Sequence, residues 1–367
     1  MSGTPASHSG AVEPGTGASR PGARDRRPGV RVIRAGAVSF RVNGRVAALC
    51  GIAAALVLAL AAWSLTLGSF PLSLAEVYRT LTGEGTPSAR FIVLELRLPR
   101  ALAAVGVGAM IALSGAIFQG MLRNPLVSPD IIGINAGASV AAVLWIVTGQ
   151  PFQFLPAVAF AGALAAAAAI YALTWRGGIA GARLILVGIG VNAMLSAATT
   201  FLLTRARIND ASRAVLWMTG SVYASDWEDV RLLAASIAVL LPAAAALAGH
   251  LRVLQLGDLT ARALGMPVER VRLLLIAAGC ALSGIAVSVA GPIGFVALMV
   301  PHFARMLAGP VTAGVFLLTG LLGGTLVLGA DMVGQHALGV SLPVGVVTSA
   351  LGAPYFLYLL YRTQARM

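Results

Sequence analysis

The sequence predicts an all-α polytopic membrane protein with ten transmembrane helices. Three observations carry that expectation. Charged residues are 11% of the 367 positions, against roughly 25% in an ordinary soluble domain. Mean hydropathy is +0.88. Apolar runs near twenty residues recur along the chain, and at about 1.5 Å per residue such runs match the ~30 Å hydrocarbon core of a bilayer.

Residues 1–45 are rich in Gly, Pro, Ser and Arg, and that composition reads as a disordered tail ahead of a membrane domain at 46–367. Arg26-Arg27 is followed by Pro28-Gly29, where a twin-arginine signal needs an apolar start. The run Val46 to Leu67 exceeds the ~7–15 residues of a signal-peptide core and reads as a first span that stays. A loop from Ser69 to Leu96 then carries a short surface helix, Leu72 to Leu81. Further spans fall at 98–122, 128–148, 152–175, 184–205, 229–250, 269–290, 294–308, 312–333 and 343–362.

All 26 basic residues are arginine. With the tail inside, ten crossings put both termini in the cytoplasm. Eighteen arginines then lie inside and eight outside, which is the positive-inside pattern. The net charge of +13 therefore faces the cytoplasm and anionic lipid, and no nucleic-acid partner is expected. Without lysine there is no Walker-type phosphate loop and no Schiff-base chemistry. Cys50 and Cys280 sit inside apolar runs as packing residues. His8, His250, His302 and His336 are too scattered to hold a metal. An intramembrane enzyme would need a nucleophile–base pair or a metal motif, and none is present.

The longest inside loop, residues 251–272, is the candidate contact with a partner. Leu256, Leu259, Ala263 and Leu264 fall at helical spacing, and Gly265 and Pro267 end the helix. A plain reconnecting loop would be shorter and carry no apolar stripe. On pattern alone, a helix pressed into a partner's groove and a helix lying in lipid headgroups remain equal alternatives. Asn124-Pro125-Leu126 reads as a tight inside turn in which the Asn124 amide replaces backbone partners. Arg97 and Arg100 share one helical face at the outer surface, as docking charges or as headgroup anchors. Pro301 beside His302 marks a broken helix near the inner end. Gly188, Gly190, Asn192, Gly345 and Thr348 make small faces that allow close helix approach, within one subunit or between two.

The ordered motifs Leu96-Arg97-Leu98-Pro99-Arg100, Asn124-Pro125-Leu126, Gly133-Ile134-Asn135-Ala136-Gly137, Gly291-Pro292-Ile293-Gly294-Phe295, Pro301-His302-Phe303-Ala304-Arg305, Ala330-Asp331 and Leu342-Pro343-Val344-Gly345 carry a resemblance. From about residue 46 to 362 the chain resembles the permeases of bacterial ABC importers for iron–siderophore complexes, haem and vitamin B12, with the type II importer permease fold. The resemblance implies a non-enzymatic permease in the bacterial cytoplasmic membrane, with no cofactor of its own. ATP and magnesium would sit on two partner ATPase subunits. These would grip Leu256, Gly257, Asp258, Ala261, Arg262, Leu264 and Gly265.

The same resemblance implies a cytoplasmic gate at Asn124, Pro125 and Leu126 with Gly181 and Ala182. Arg97 and Arg100 would dock a periplasmic or lipid-anchored solute-binding protein. A second permease chain, like or unlike, would meet this one along Gly188, Gly190, Asn192, Gly345 and Thr348, which would also line the path. Where the family has a third docking arginine this chain has Gln335, with His336 beside it. The cargo implied is an iron(III)–siderophore complex, with haem or vitamin B12 as alternatives. An ion-coupled secondary transporter is the further alternative. It would need carboxylates at span centres, and none is assigned there.

Overall fold

The computed structural model describes residues 30–35, 38–175, 181–337 and 339–364. Two units are compact, one ending at Gly44 and one beginning at Arg45. In the first, β1 (Val30–Ala35) pairs antiparallel with β2 (Val38–Asn43), Val30 opposite Asn43 and Ala35 opposite Val38. Residues 1–29, most of the tail expected to be disordered, lie outside the described residues. In the hairpin Val30 and Val32, then Val38, Phe40 and Val42, alternate with other residues at the period of a strand.

In the second unit the helices follow the apolar runs. α1 (Gly44–Thr66) is the first. The expected surface helix is α2 (Leu74–Leu81), started by a reciprocal cap in which Ser73 accepts from the Glu76 N–H and Glu76 from the Ser73 N–H. α3 (Pro87–Arg90) and a π-helical stretch, Phe91–Arg97, run straight into α4 (Leu98–Leu122). The third expected span is split, because Gly133 at φ +95° separates α5 (Pro129–Ile132) from α6 (Ile134–Val147). α7 (Leu155–Thr174) and α8 (Gly181–Arg205) follow. α9 (Ile208–Met218) is an amphipathic helix between the expected spans 184–205 and 229–250.

Then come α10 (Trp227–Gln255), α11 (Asp258–Ala263), α12 (Val268–Ala290), α13 (Val296–Ala308), α14 (Ala313–His336) and α15 (Val344–Gln364). Among the described residues, seven helices are long and apolar enough to cross a membrane. Three shorter apolar helices, Ile134–Val147, Val296–Ala308 and Val344–Leu359, stand where the other expected spans fall.

α4 is the axis of this unit, buried along nearly its whole length. α14 crosses it where Gly108 and Gly323 meet backbone to backbone, each without room for a Cβ against the other's carbonyl. Such contact replaces the hydrophobic driving force that lipid removes. α12 is tied to α4 by Ser114, which donates to the Gly279 carbonyl at 2.7 Å.

α13 comes closest at Gly115, where a Cβ would overlap the Ala297 carbonyl. The close approach answers a backbone need. Pro301 has no N–H to give to Ala297, four residues earlier. Gln119 of α4 donates instead to the Ala297 and Leu298 carbonyls, at 3.1 and 3.0 Å. α13 therefore runs unbroken from 296 to 308. The helix expected to break at Pro301 is repaired by a neighbour's side chain.

Candidate functional site

Three places bring the singled-out residues together. The first is the loop between α10 and α12. Gly257, at φ +108°, turns the chain out of α10, and α11 follows for six residues. Asp258 accepts from Arg272 at 2.9 and 3.0 Å, and Arg262 donates to Glu269 at 3.2 Å. Arg272 is buried at the foot of α12 and also lies 3.8 Å from Glu269. Charges thus pin the short helix onto α12, while Ala261 is its buried apolar anchor. Leu256, Leu259 and Leu264 point away, 63%, 86% and 65% exposed. Asp258, Arg262, Glu269 and Arg272 are paired with one another, and the leucine side of the loop is open.

The second place is the turn after α4, at the same end of the bundle. Arg123 ends the helix in the left-handed region at φ 53°. The Asn124 Oδ1 accepts from the Leu126 N–H at 2.9 Å, so its side-chain oxygen does the work expected of the amide. Gly181, at the start of α8, sits against Leu122, with a Cβ there 3.0 Å from a Leu122 methyl. Ala182 beside it is exposed. The turn and the start of α8 are therefore neighbours at this end. A cavity of about 400 Å³, lined by Gln119, Arg123, Asn124, Gln255 and Arg305 among others, opens beside them.

The third place is the opposite end of α4. Arg100 donates through Nε and Nη2 to the two oxygens of Asp331 on α14, at 3.0 and 2.8 Å. Its guanidinium also lies 4.8 Å from the centre of the Tyr223 ring. Gln335 Nε2 donates to the same Asp331 at 2.6 Å. Arg97 turns toward the chain end of α1 and donates to the Leu65 and Phe70 carbonyls at 2.7 and 2.6 Å. These groups border a cavity of about 670 Å³.

The model of the FecCD transport family matches residues 56–362. The chain belongs to the FecCD transport family. Among its FecCD relatives is the achromobactin transport system permease protein CbrC of Dickeya dadantii, 42% identical over 291 residues, 78% of this chain and 83% of that one. The ferric enterobactin transport system permease protein FepG of Escherichia coli is 42% identical over 288 residues, 78% and 87%. The cobalamin import system permease protein BtuC of Halobacterium salinarum is 38% identical over 285 residues, 77% of each. Of solved structures, an inward-facing conformation of a putative metal-chelate type ABC transporter matches with a TM-score of 0.78 and 29% identity, covering 86% of this chain and 99% of that one.

The guanidiniums of Arg97 and Arg100 are both held by groups of this chain. Their partners are 32 and 231 residues away in sequence, too distant for pattern reading. Gly188 packs against the Ile132 carbonyl of α5. Gly345 packs against Thr219 and donates to the Gly220 carbonyl at 3.0 Å, and buried Thr348 donates to Gly345 at 3.1 Å. These three make packing contacts within the chain. Gly190 is open, with Leu186, Ile189 and Met194 exposed on the same helix and Asn192 half-buried. The sequence reading missed Gln119, Tyr223 and buried Arg272. The missing donor at Pro301 was the one available signal for Gln119.

Proposed function

We propose that this FecCD chain is the permease subunit of an ATP-driven importer that carries an iron(III)–siderophore complex across the bacterial cytoplasmic membrane. Ten crossings, with both termini inside, are the topology that best accommodates its arginine distribution. A second permease chain, like or unlike, completes the path on a two-fold axis. The open α8 face around Gly190 is a suitable seam.

Two ATPase subunits, which hold ATP and magnesium, grip the 251–272 loop. A solute-binding protein delivers cargo at the opposite end. The permease itself performs no chemistry. It supplies a weakly polar conduit whose inner end closes near Asn124, Pro125, Leu126, Gly181 and Ala182.

The observation that carries the reading is the loop's division of labour. Asp258, Arg262, Glu269 and Arg272 bond to one another, so the exposed Leu256, Leu259 and Leu264 are left as a rigid apolar key. Relatives named for achromobactin and enterobactin favour the siderophore cargo over cobalamin. Uptake of radiolabelled ferric siderophore, haem and cobalamin by cells expressing the full importer tests the cargo. Iron uptake alone is expected. Cobalamin uptake without iron uptake would overturn the assignment.

A further inference from the structure

We infer that the cavity between α4, α10 and α13 is a receptor for a carboxylate side chain of the partner ATPase. This deepens the proposed function by adding an electrostatic contact beside the loop's apolar key. Its lining holds two guanidiniums, Arg123 and Arg305, with the amides of Gln119, Asn124 and Gln255, and it contains no carboxylate. Arg305 Nη2 donates to Gln119 Oε1 at 2.6 Å. Gln119 is spent on the α13 carbonyls through its nitrogen, so the pair is oriented without being neutralised. Among the described residues nothing hydrogen-bonds or ion-pairs with the Arg123 side chain.

Helix ends do not account for the excess charge. The C-termini of α4 and α10 border the cavity and bring about half a negative charge each, screened by solvent. Against the two guanidiniums this leaves a surplus of about one positive charge. At about 400 Å³ the space admits an acidic side chain together with the turn that bears it.

Position selects the ATPase as the source. An Arg123 Nη1 lies 3.8 Å from where a Cβ on Gly257 would stand, and Gly257 opens the coupling loop. A partner seated on Leu256 and Leu259 therefore reaches over this cavity. Arginine suits the task because its fork grips a carboxylate with two parallel bonds.

The test uses the full chain in nanodiscs of zwitterionic lipid, titrated with its partner ATPase at low and high salt. Wild-type affinity is expected to fall as salt rises. Arg123→Gln is expected to lose about fivefold at low salt, the scale of one partly exposed ion pair, and to flatten the salt dependence. Arg123→Glu is expected to be rescued by reversing one surface carboxylate of the ATPase to Arg.

Leu259→Ala serves as the control, weakening binding equally at all salts. If Arg123→Gln matches wild type at both salts while Leu259→Ala weakens binding, the carboxylate receptor is overturned and the coupling reading stands. If both variants bind as wild type, the coupling reading itself falls. If Arg123→Gln changes only retention of added anionic lipid, the cavity is a headgroup site and the inference is overturned.

Discussion

Asp331→Asn tests whether the far end of the bundle is braced by charge. The substitution keeps the shape and leaves Gln335 a partner, but removes the negative charge that two Arg100 bonds satisfy. The side chains are 13% and 4% exposed. Breaking a buried pair and stranding one charge costs ~3–5 kcal/mol. The adjoining cavity gives Arg100 some water, so the lower end, about 3 kcal/mol, is the expected loss. Arg100→Leu should cost a similar amount by stranding Asp331.

The double variant strands neither group and should recover at least about 2 kcal/mol of the summed losses. Reversible unfolding in mixed detergent micelles measures all three. Two single variants that each lose less than about 1 kcal/mol and add independently would refute the brace and return Arg100 to the rank of a surface charge. Tighter capture of the binding protein by Asp331→Asn, with undiminished stability, would refute it as well.

Three other substitutions probe the α4 axis and the loop. Gly115→Ala puts a methyl into the Ala297 carbonyl and should destabilise by ~1–3 kcal/mol, seen as a lower unfolding midpoint in the same micelles. Gln119→Leu leaves the Ala297 and Leu298 carbonyls without their side-chain donor. It should cost ~1–3 kcal/mol and loosen α13, measured as faster amide exchange after Pro301. Leu259→Asp, at an exposed position, should leave folding unchanged and uncouple ATP turnover from uptake; unchanged coupling would remove Leu259 from the key.

Much of the architecture was legible because lipid enforces a simple code. A run of apolar residues must close its own backbone bonds, so 98–122 and 269–290 became α4 and α12 within a residue. The code weakens where helices are short or amphipathic. α9 carries Asn209, Asp210 and Arg213 among its apolar residues, which hides it from a search for apolar runs. The β1–β2 alternation was masked by a composition that suggests disorder. In the loop, the short helix and its leucines were legible from residue type and spacing, because both are local.

The partners of the arginines at the far end were illegible for the opposite reason. Whether Arg100 faces solvent or Asp331 depends on a helix packed 231 positions later. Glycine contacts were illegible in the same way, since a small residue fits equally well against its own chain or another. Only three-dimensional neighbours, Ile132 for Gly188 and Thr219 for Gly345, separate those cases.

The central claim is that nucleotide hydrolysis on another subunit drives transport through this chain. Proteoliposomes holding the permease dimer, with and without its ATPase, given loaded binding protein on one side, test it directly. Accumulation of ferric siderophore against its gradient is predicted only when the ATPase and ATP are both present, and it should persist after the proton gradient is collapsed. Accumulation by the permease alone, or its abolition by collapsing that gradient with ATP still supplied, would contradict the account.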